Sequence, residues 1–387
     1  MMKFTQKIPL SWLQLMKEKT RLTVAVAGIA FADLLMFIQM GFEAALYNAA
    51  VLPHRNLDAD LVLIEPRMQT LFSTKSFSRD RLFQAKFHEQ VDAVSPVYIA
   101  TGQWRNPQDR LERAILVWGI DPVRSPFKFP EVQQNLSAIK PLNHVLFDQA
   151  GRPEYGVSAE LFKQTGTFET ELNSRAVEVS GLFSNGASFS ADGNVITSDS
   201  TFLNLFPDRR SDQIELGLIH VKPGANVEQV QSELRQLLPN DVSVLTVEGF
   251  AQIEKDYWAS ATAIGFIFSI GVGMGFIVGI VIVYQILYSD VSDHLPEYAT
   301  LKAMGYTDNY LFSVLVQEAL ILAFLGYIPS FFLAVGLYQL TAAATMLPIG
   351  MTLNRAVNVM ILTIVMCSIS GGIALRKLRS ADPADIF

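Results

Sequence analysis

Apolar positions along the chain fall into two regimes. Four stretches are predominantly apolar: 22–48, broken by Asp33 and Glu43; 261–288, without a charge; 312–344, uncharged from Ala319 onward; and 356–375, again uncharged. As a helix, 261–288 reaches roughly 42 Å, more than the ~30 Å of a bilayer's hydrocarbon core. The pattern predicts four transmembrane helices. Between the first two lies 49–260, where β-branched and aromatic runs alternate with turn signals. DADLVLIEP, RAILVWGIDP, RAVEVSGLF, GNVITSDSTF, IELGLIHV and VSVLTV read as strands. In PGANVEQVQSELRQLLP, Asn226 is placed to cap a helix with Val227, Val230, Leu234, Leu237 and Leu238 on one face, giving a strand, helix, strand unit. The proline-rich part from 125 to 175 is compatible with a second lobe or with long loops.

The predicted fold class is therefore a membrane α-helical bundle of four transmembrane helices, with a large α+β extracytoplasmic domain inserted between helices 1 and 2. Residues 1–21, with Ile8, Trp12, Leu13 and Leu15 ahead of a basic tail, read as an amphipathic helix at the inner interface. The long first apolar run reads as an anchor and not as a cleaved signal. Residues 289–311 form a short connector, 345–355 a turn on the opposite side, and 376–387 a tail.

Composition sharpens this picture. Half of the residues are hydrophobic and 17% are charged, outside the usual soluble range. Lys3, Lys7, Lys17, Lys19 and Arg21 precede the first span, and Arg376, Lys377 and Arg379 follow the last. Basic flanks favour the cytoplasmic side, so both termini and 289–311 are expected inside, in a multi-pass protein of the cytoplasmic (inner) membrane. A net charge of −7 without a basic cluster argues against a nucleic-acid partner. The lone cysteine, Cys367, lies in the fourth span and gives no disulfide.

Catalytic chemistry is not legible. No G-x-x-x-x-G-K-[ST] occurs, so any ATP and Mg are expected in a separate subunit, and the chain holds no cofactor of its own. His54, His88, His144, His220 and His294 show no ligand spacing and read as surface or satisfied residues. Asp33, in mid-span, should face protein or water or be protonated, with a proton-relay role and a structural hydrogen bond both open. Glu318 reads as a structural residue reaching the interface. Gly271, Gly275 and Gly279 share a helix face and form a packing seam for another span or a second copy. Pro329 with Ser330 should kink the third span.

In PEYATLKAMGYTDNYL, Pro296 suits a first helical turn and Gly305 a stop, so 296–304 reads as a helix of about two turns. Tyr298, Leu301 and Lys302 lie at i, i+3 and i+4, a face suited to a groove on a cytoplasmic partner or to lipid headgroups.

These motifs, in this order, resemble the MacB/FtsX-type permeases of ABC transporters, and among them the DevC permeases of cyanobacterial DevBCA-type exporters. PLSWLQLMKEKTRLTVAVAGIAFADLLMFIQMGF is similar to the family's lead-in helix and first span. DHLPEYATLKAMGYTDNYLFSVLVQEALILA is similar to its coupling segment and third span, and ALRKLRSADPADIF to its tail. Many FtsX-like permeases carry a basic residue before the glutamate of the coupling segment, where this chain has Pro296. The resemblance implies a non-enzymatic homodimeric permease coupled by mechanotransmission to an ABC ATPase dimer. Glu297, Tyr298, Leu301, Lys302, Met304 and Gly305 are its expected ATPase contacts. A membrane-fusion protein and a TolC-like outer-membrane duct would complete a tripartite route for lipid or glycolipid export. The alternative is an FtsX-like signal transmitter that activates a cell-wall hydrolase, and a membrane-anchored enzyme ranks last.

Overall fold

The computed structural model describes residues 17–156, 162, 164–188, 191–297, 300, 304–345 and 347–380, and divides into two compact units, one of 46–262 and one of the remainder. The first helix among the described residues, α1, runs from Lys19 to Arg55, about two turns beyond the end expected from the apolar run. The added turns keep burying Ala49, Ala50 and Val51, so helix formation outlasts the lipid-compatible segment.

In the inserted domain the chain forms β1 (Leu61–Ile64), β2 (Phe77–Ser78), α2 (Arg79–Lys86), β3 (Val91–Arg105), β4 (Glu112–Ile120) and α3 (Pro130–Gln134). It continues through β5 (His144–Asp148), β6 (Phe168–Leu172), β7 (Arg175–Phe183), β8 (Asn194–Ser198), α4 (Asp199–Leu205) and β9 (Gln213–Ile214). β10 (Leu216–Val221), α5 (Val227–Leu237), β11 (Ser243–Thr246) and α6 (Val247–Asp256) complete it. A nine-stranded mixed sheet has the order β11-β1-β10-β3-β4-β8-β5-β7-β6, and a further β3–β6 pairing closes its larger part into a ring.

Strand alternation distributes side chains to two cores. Leu61 and Leu63 join Leu82, Val230 and Leu234 on one face, while Val62 and Ile64 join Trp118 and Phe250 on the other. The Asn226 side chain accepts from Gln229 N at 2.9 Å and starts α5 as expected. β10 and β11, which flank α5, are separated in the sheet by β1, so the unit is a split one. Leu237 departs from the expected buried face at 56% exposed, because Leu238 takes the place at the helix end.

Residues 125–175 form neither a second lobe nor long loops only. They contribute α3, β5 and β6, and both strands are built into the main sheet. GNVITSDSTF is strand only as far as Ser198, whose hydroxyl accepts from Thr201 N at 3.2 Å and starts α4.

The membrane unit adds α7 (Ala263–Asp293), α8 (Asp308–Thr345) and α9 (Leu353–Ser380). With α1 they are, among the described residues, four helices long and apolar enough to cross a membrane. Two buried clusters fill the bundle, one around Ala25, Ile29, Leu287, Leu322 and Met366, the other around Met36, Phe37, Ala334 and Tyr338.

Candidate functional site

The polar chemistry of the membrane unit sits at two levels. Deep in the bundle, Asp33 on α1 is fully buried. Thr363 Oγ1 of α9 donates to its Oδ1 at 2.7 Å, and Ser330 Oγ of α8 lies 3.4 Å from its Oδ2. The Ser330 hydroxyl has one hydrogen and a nearer acceptor in the Tyr327 carbonyl at 2.7 Å, and the Thr363 hydroxyl is shared between Asp33 and the Val359 carbonyl at 2.8 Å, so Thr363 is the closer of the two partners of Asp33. Asp33 thus faces protein and joins three helices. Asp33→Asn keeps an acceptor for Thr363 and is expected to change stability by less than about 1 kcal/mol, whereas Asp33→Leu removes it and should cost about 1–3 kcal/mol. Thermal unfolding in detergent checks the order.

The glycine seam lies against helices of the same chain. A Cβ on Gly271 would overlap the Gln39 side chain, and one on Gly275 would meet Met36 Cγ at 3.1 Å and Ala32 O at 3.4 Å. At Gly279 it would overlap Met366 Sδ and lie 3.1 Å from Ala32 Cβ. The seam therefore admits α1 along its length and α9 at one end, with dispersion packing as its gain. Phe266, Ile270, Met274, Ile277 and Val281 leave another face of α7 apolar and exposed.

At the end of the bundle carrying the connector, charge accumulates. Arg21, in the first turn of α1, donates through Nη1 to Asp290 Oδ1 at 3.2 Å and through Nη2 to Ser289 Oγ at 3.3 Å and to Asp293 Oδ2. Glu18 Oε2 lies 2.9 Å from the same guanidinium. His294 Nδ1 approaches the Asp290 carbonyl at 3.0 Å. Glu318 is 1% exposed, so it is buried in the bundle and not at the interface expected from the sequence. Its Oε2 and Asp290 Oδ2 have no hydrogen-bond partner, and both residues line a cavity with Glu18, Arg21, Leu22, Ala25 and Ile286.

Of the connector, Leu295, Pro296 and Glu297 are helical. Thr300 Oγ1 donates to Pro296 O at 2.8 Å and Met304 N to Thr300 O at 3.0 Å, bonds of helical spacing. Gly305 then turns the chain at φ +95°, a conformation that glycine adopts without a Cβ penalty. Met304 is 63% exposed, and Glu297 is exposed at 4.0 Å from Lys17, a surface pair worth little alone. Tyr298, Leu301 and Lys302 lie outside the described residues, as does the lead-in helix as far as residue 16.

Sequence reasoning counted Arg21 only as an orientation marker. The opposite charges at the start of the first span and the end of the second were the available signal. His54 is not a surface residue: it is fully buried against Phe250 at 4.4 Å, with Nε2 3.5 Å from Glu254 Oε2 and no hydrogen bond to either ring nitrogen. Among the described residues, no group of three or more His, Cys, Asp or Glu side chains is arranged to hold a metal ion.

These units define a multi-pass helical membrane protein with a mixed α/β domain inserted after its first span. Residues 269–383, from within α7 to beyond α9, match the family FtsX-like permease C-terminal. The periplasmic region of MacB from Actinobacillus actinomycetemcomitans is similar at 12% identity and a TM-score of 0.37, covering 51% of this chain and 92% of that one. The extracellular domain of the noncanonic ABC-type transporter YknZ from Gram-positive bacteria is similar at 13% identity and a TM-score of 0.34, covering 49% and 99%. At such scores neither likeness defines the fold or the function of this chain. No curated protein matches it.

Proposed function

We propose that this chain is the membrane permease subunit of an ATP-driven ABC exporter, with a separate ATPase dimer acting on 296–305. The observation that carries this reading is the FtsX-like permease match over 269–383, which includes the connector. The absence of a P-loop motif from the sequence fits an ATPase on another chain. Basic flanks support a cytoplasmic location for both termini and the connector, with the inserted domain outside. The chain acts as a homodimer and transmits movement to the inserted domain without a conventional channel. The resemblance to DevC-type permeases supports a lipid or glycolipid substrate, passed to a membrane-fusion protein and a TolC-like duct.

Met304 is exposed, so Met304→Asp is expected to leave folding within about 0.5 kcal/mol of wild type. It should nevertheless abolish co-purification of the ATPase from membranes, and Leu301→Asp should act alike. Normal recovery of the ATPase with both variants would remove the coupling role. Recovery of a cell-wall hydrolase in place of a membrane-fusion protein would turn the reading to signal transmission.

A further inference from the structure

We propose that Arg21 is the positioning residue that clasps α1 to the connector end of α7, so that displacement of the connector is handed to α1. The inference rests on the permease reading and adds the element through which force leaves the connector.

Arg21 alone on α1 reaches Ser289, Asp290 and Asp293, which span the last turn of α7 immediately before the connector. Arginine suits this task because its rigid fork serves several acceptors at once. The clasp is also electrostatically loaded. Among the described residues lining the cavity, Arg21 is the one base facing Glu18, Asp290 and Glu318, and it stands beside two buried carboxylate oxygens that lack partners. Removing it leaves Glu318 with no base among the described residues lining the cavity and Asp290 with His294, whose Nδ1 lies 3.4 Å from Asp290 Oδ1, so the charged part of the grip of α1 on the end of α7 depends on the guanidinium. α1 is then an unbroken helix from Lys19 to Arg55. At its far end, within the inserted domain, Arg55 Nη2 lies 3.1 Å from Glu248 Oε1 on α6, and His54 packs on Phe250. The exposed Arg55–Glu248 pair adds little alone, but the buried packing of His54 on Phe250 holds this end of the helix, and a helix so held can carry a push or a twist.

The test uses the full chain co-purified with its ATPase, as wild type, Arg21→Ala and Arg21→Lys. ATP hydrolysis and the ATP-dependent change in amide hydrogen exchange across residues 46–262 are measured together. Wild type should show the exchange change. Arg21→Ala should still bind the ATPase and hydrolyse ATP, while the exchange response falls about fivefold or more, the range of ordinary coupling energies. Arg21→Lys keeps the charge but loses the fork, so it should fold even if the alanine variant does not, and respond weakly. A full response in Arg21→Lys together with either a full response or misfolding in Arg21→Ala would overturn the clasp. Failure of the wild-type chain to bring an ATPase would instead overturn the permease reading.

Discussion

Gly279→Leu is expected to destabilise the membrane bundle strongly. Even a single Cβ at this position overlaps Met366 Sδ and comes within 3.1 Å of Ala32 Cβ, and Met366 is fully buried. Met366 would have to shift to admit it, and it lies one turn from Thr363, which bonds Asp33. Overpacking of a filled core costs about 1–3 kcal/mol and occasionally more, against a net stability of about 5–15 kcal/mol. Gly273→Leu supplies the control, since a Cβ there meets nothing within 4 Å. Detergent-extracted protein should run as one species with a cooperative melt for Gly273→Leu, and as aggregate or with a much lower Tm for Gly279→Leu. Equal behaviour of the two would mean that the seam is not a close helix contact.

In the inserted domain the largest loss is expected from Asp148→Ala. The Asp148 carboxylate, fully buried at the end of β5, accepts from Ala150 N at 3.1 Å, Asn185 N at 3.0 Å, Gly186 N at 3.0 Å and Asn194 Nδ2 at 2.8 Å. Asn194 Oδ1 in turn accepts from Trp118 Nε1 at 3.2 Å, so one side chain ties β5, β8, β4 and the turn after β7. Each buried donor left unpaired costs about 1–3 kcal/mol, so the substitution should remove several kcal/mol. Burial pushes the Asp148 carboxyl above its ordinary value, while the bonds from Asn194, Gly186, Asn185 and Ala150 act the other way. Because the net shift is upward, the folded state takes the proton before the unfolded chain does. Acid above the ordinary carboxylate range should therefore add stability through this group, and that gain should vanish in the alanine variant. Urea denaturation at neutral and mildly acid pH, followed by tryptophan fluorescence, measures both effects. A midpoint unchanged by Asp148→Ala would contradict the assignment.

How much of this was legible in the sequence depends on whether the signal was local. The spans were, because a lipid-compatible helix is apolar on every face over its whole length. Strand β7 was equally plain, since RAVEVSGLF alternates and ends at a turn, and α5 announced its start through Asn226. Strand β3 was not legible. Its Pro96 lies where β3 pairs only with β10, and the missing N–H costs no bond to β4, whose pairing begins at Val97. The 125–175 region failed for a related reason: its prolines mark short connections between strands that find their partners elsewhere in the chain. The clasp was invisible because Arg21 and Asp290 lie 269 positions apart. Asp33 could be flagged from its position alone, but its partner Thr363 could not.

The sidedness of the connector is the claim on which coupling depends, and labelling of a single cysteine tests it most directly. Cys367 is the chain's one cysteine and is buried, so Met304→Cys in a Cys367→Ser background presents a single exposed thiol. A membrane-impermeant maleimide should modify it in inside-out vesicles and leave it untouched in intact spheroplasts. Modification in spheroplasts, with protection in inverted vesicles, would place the connector outside the cell and contradict the account.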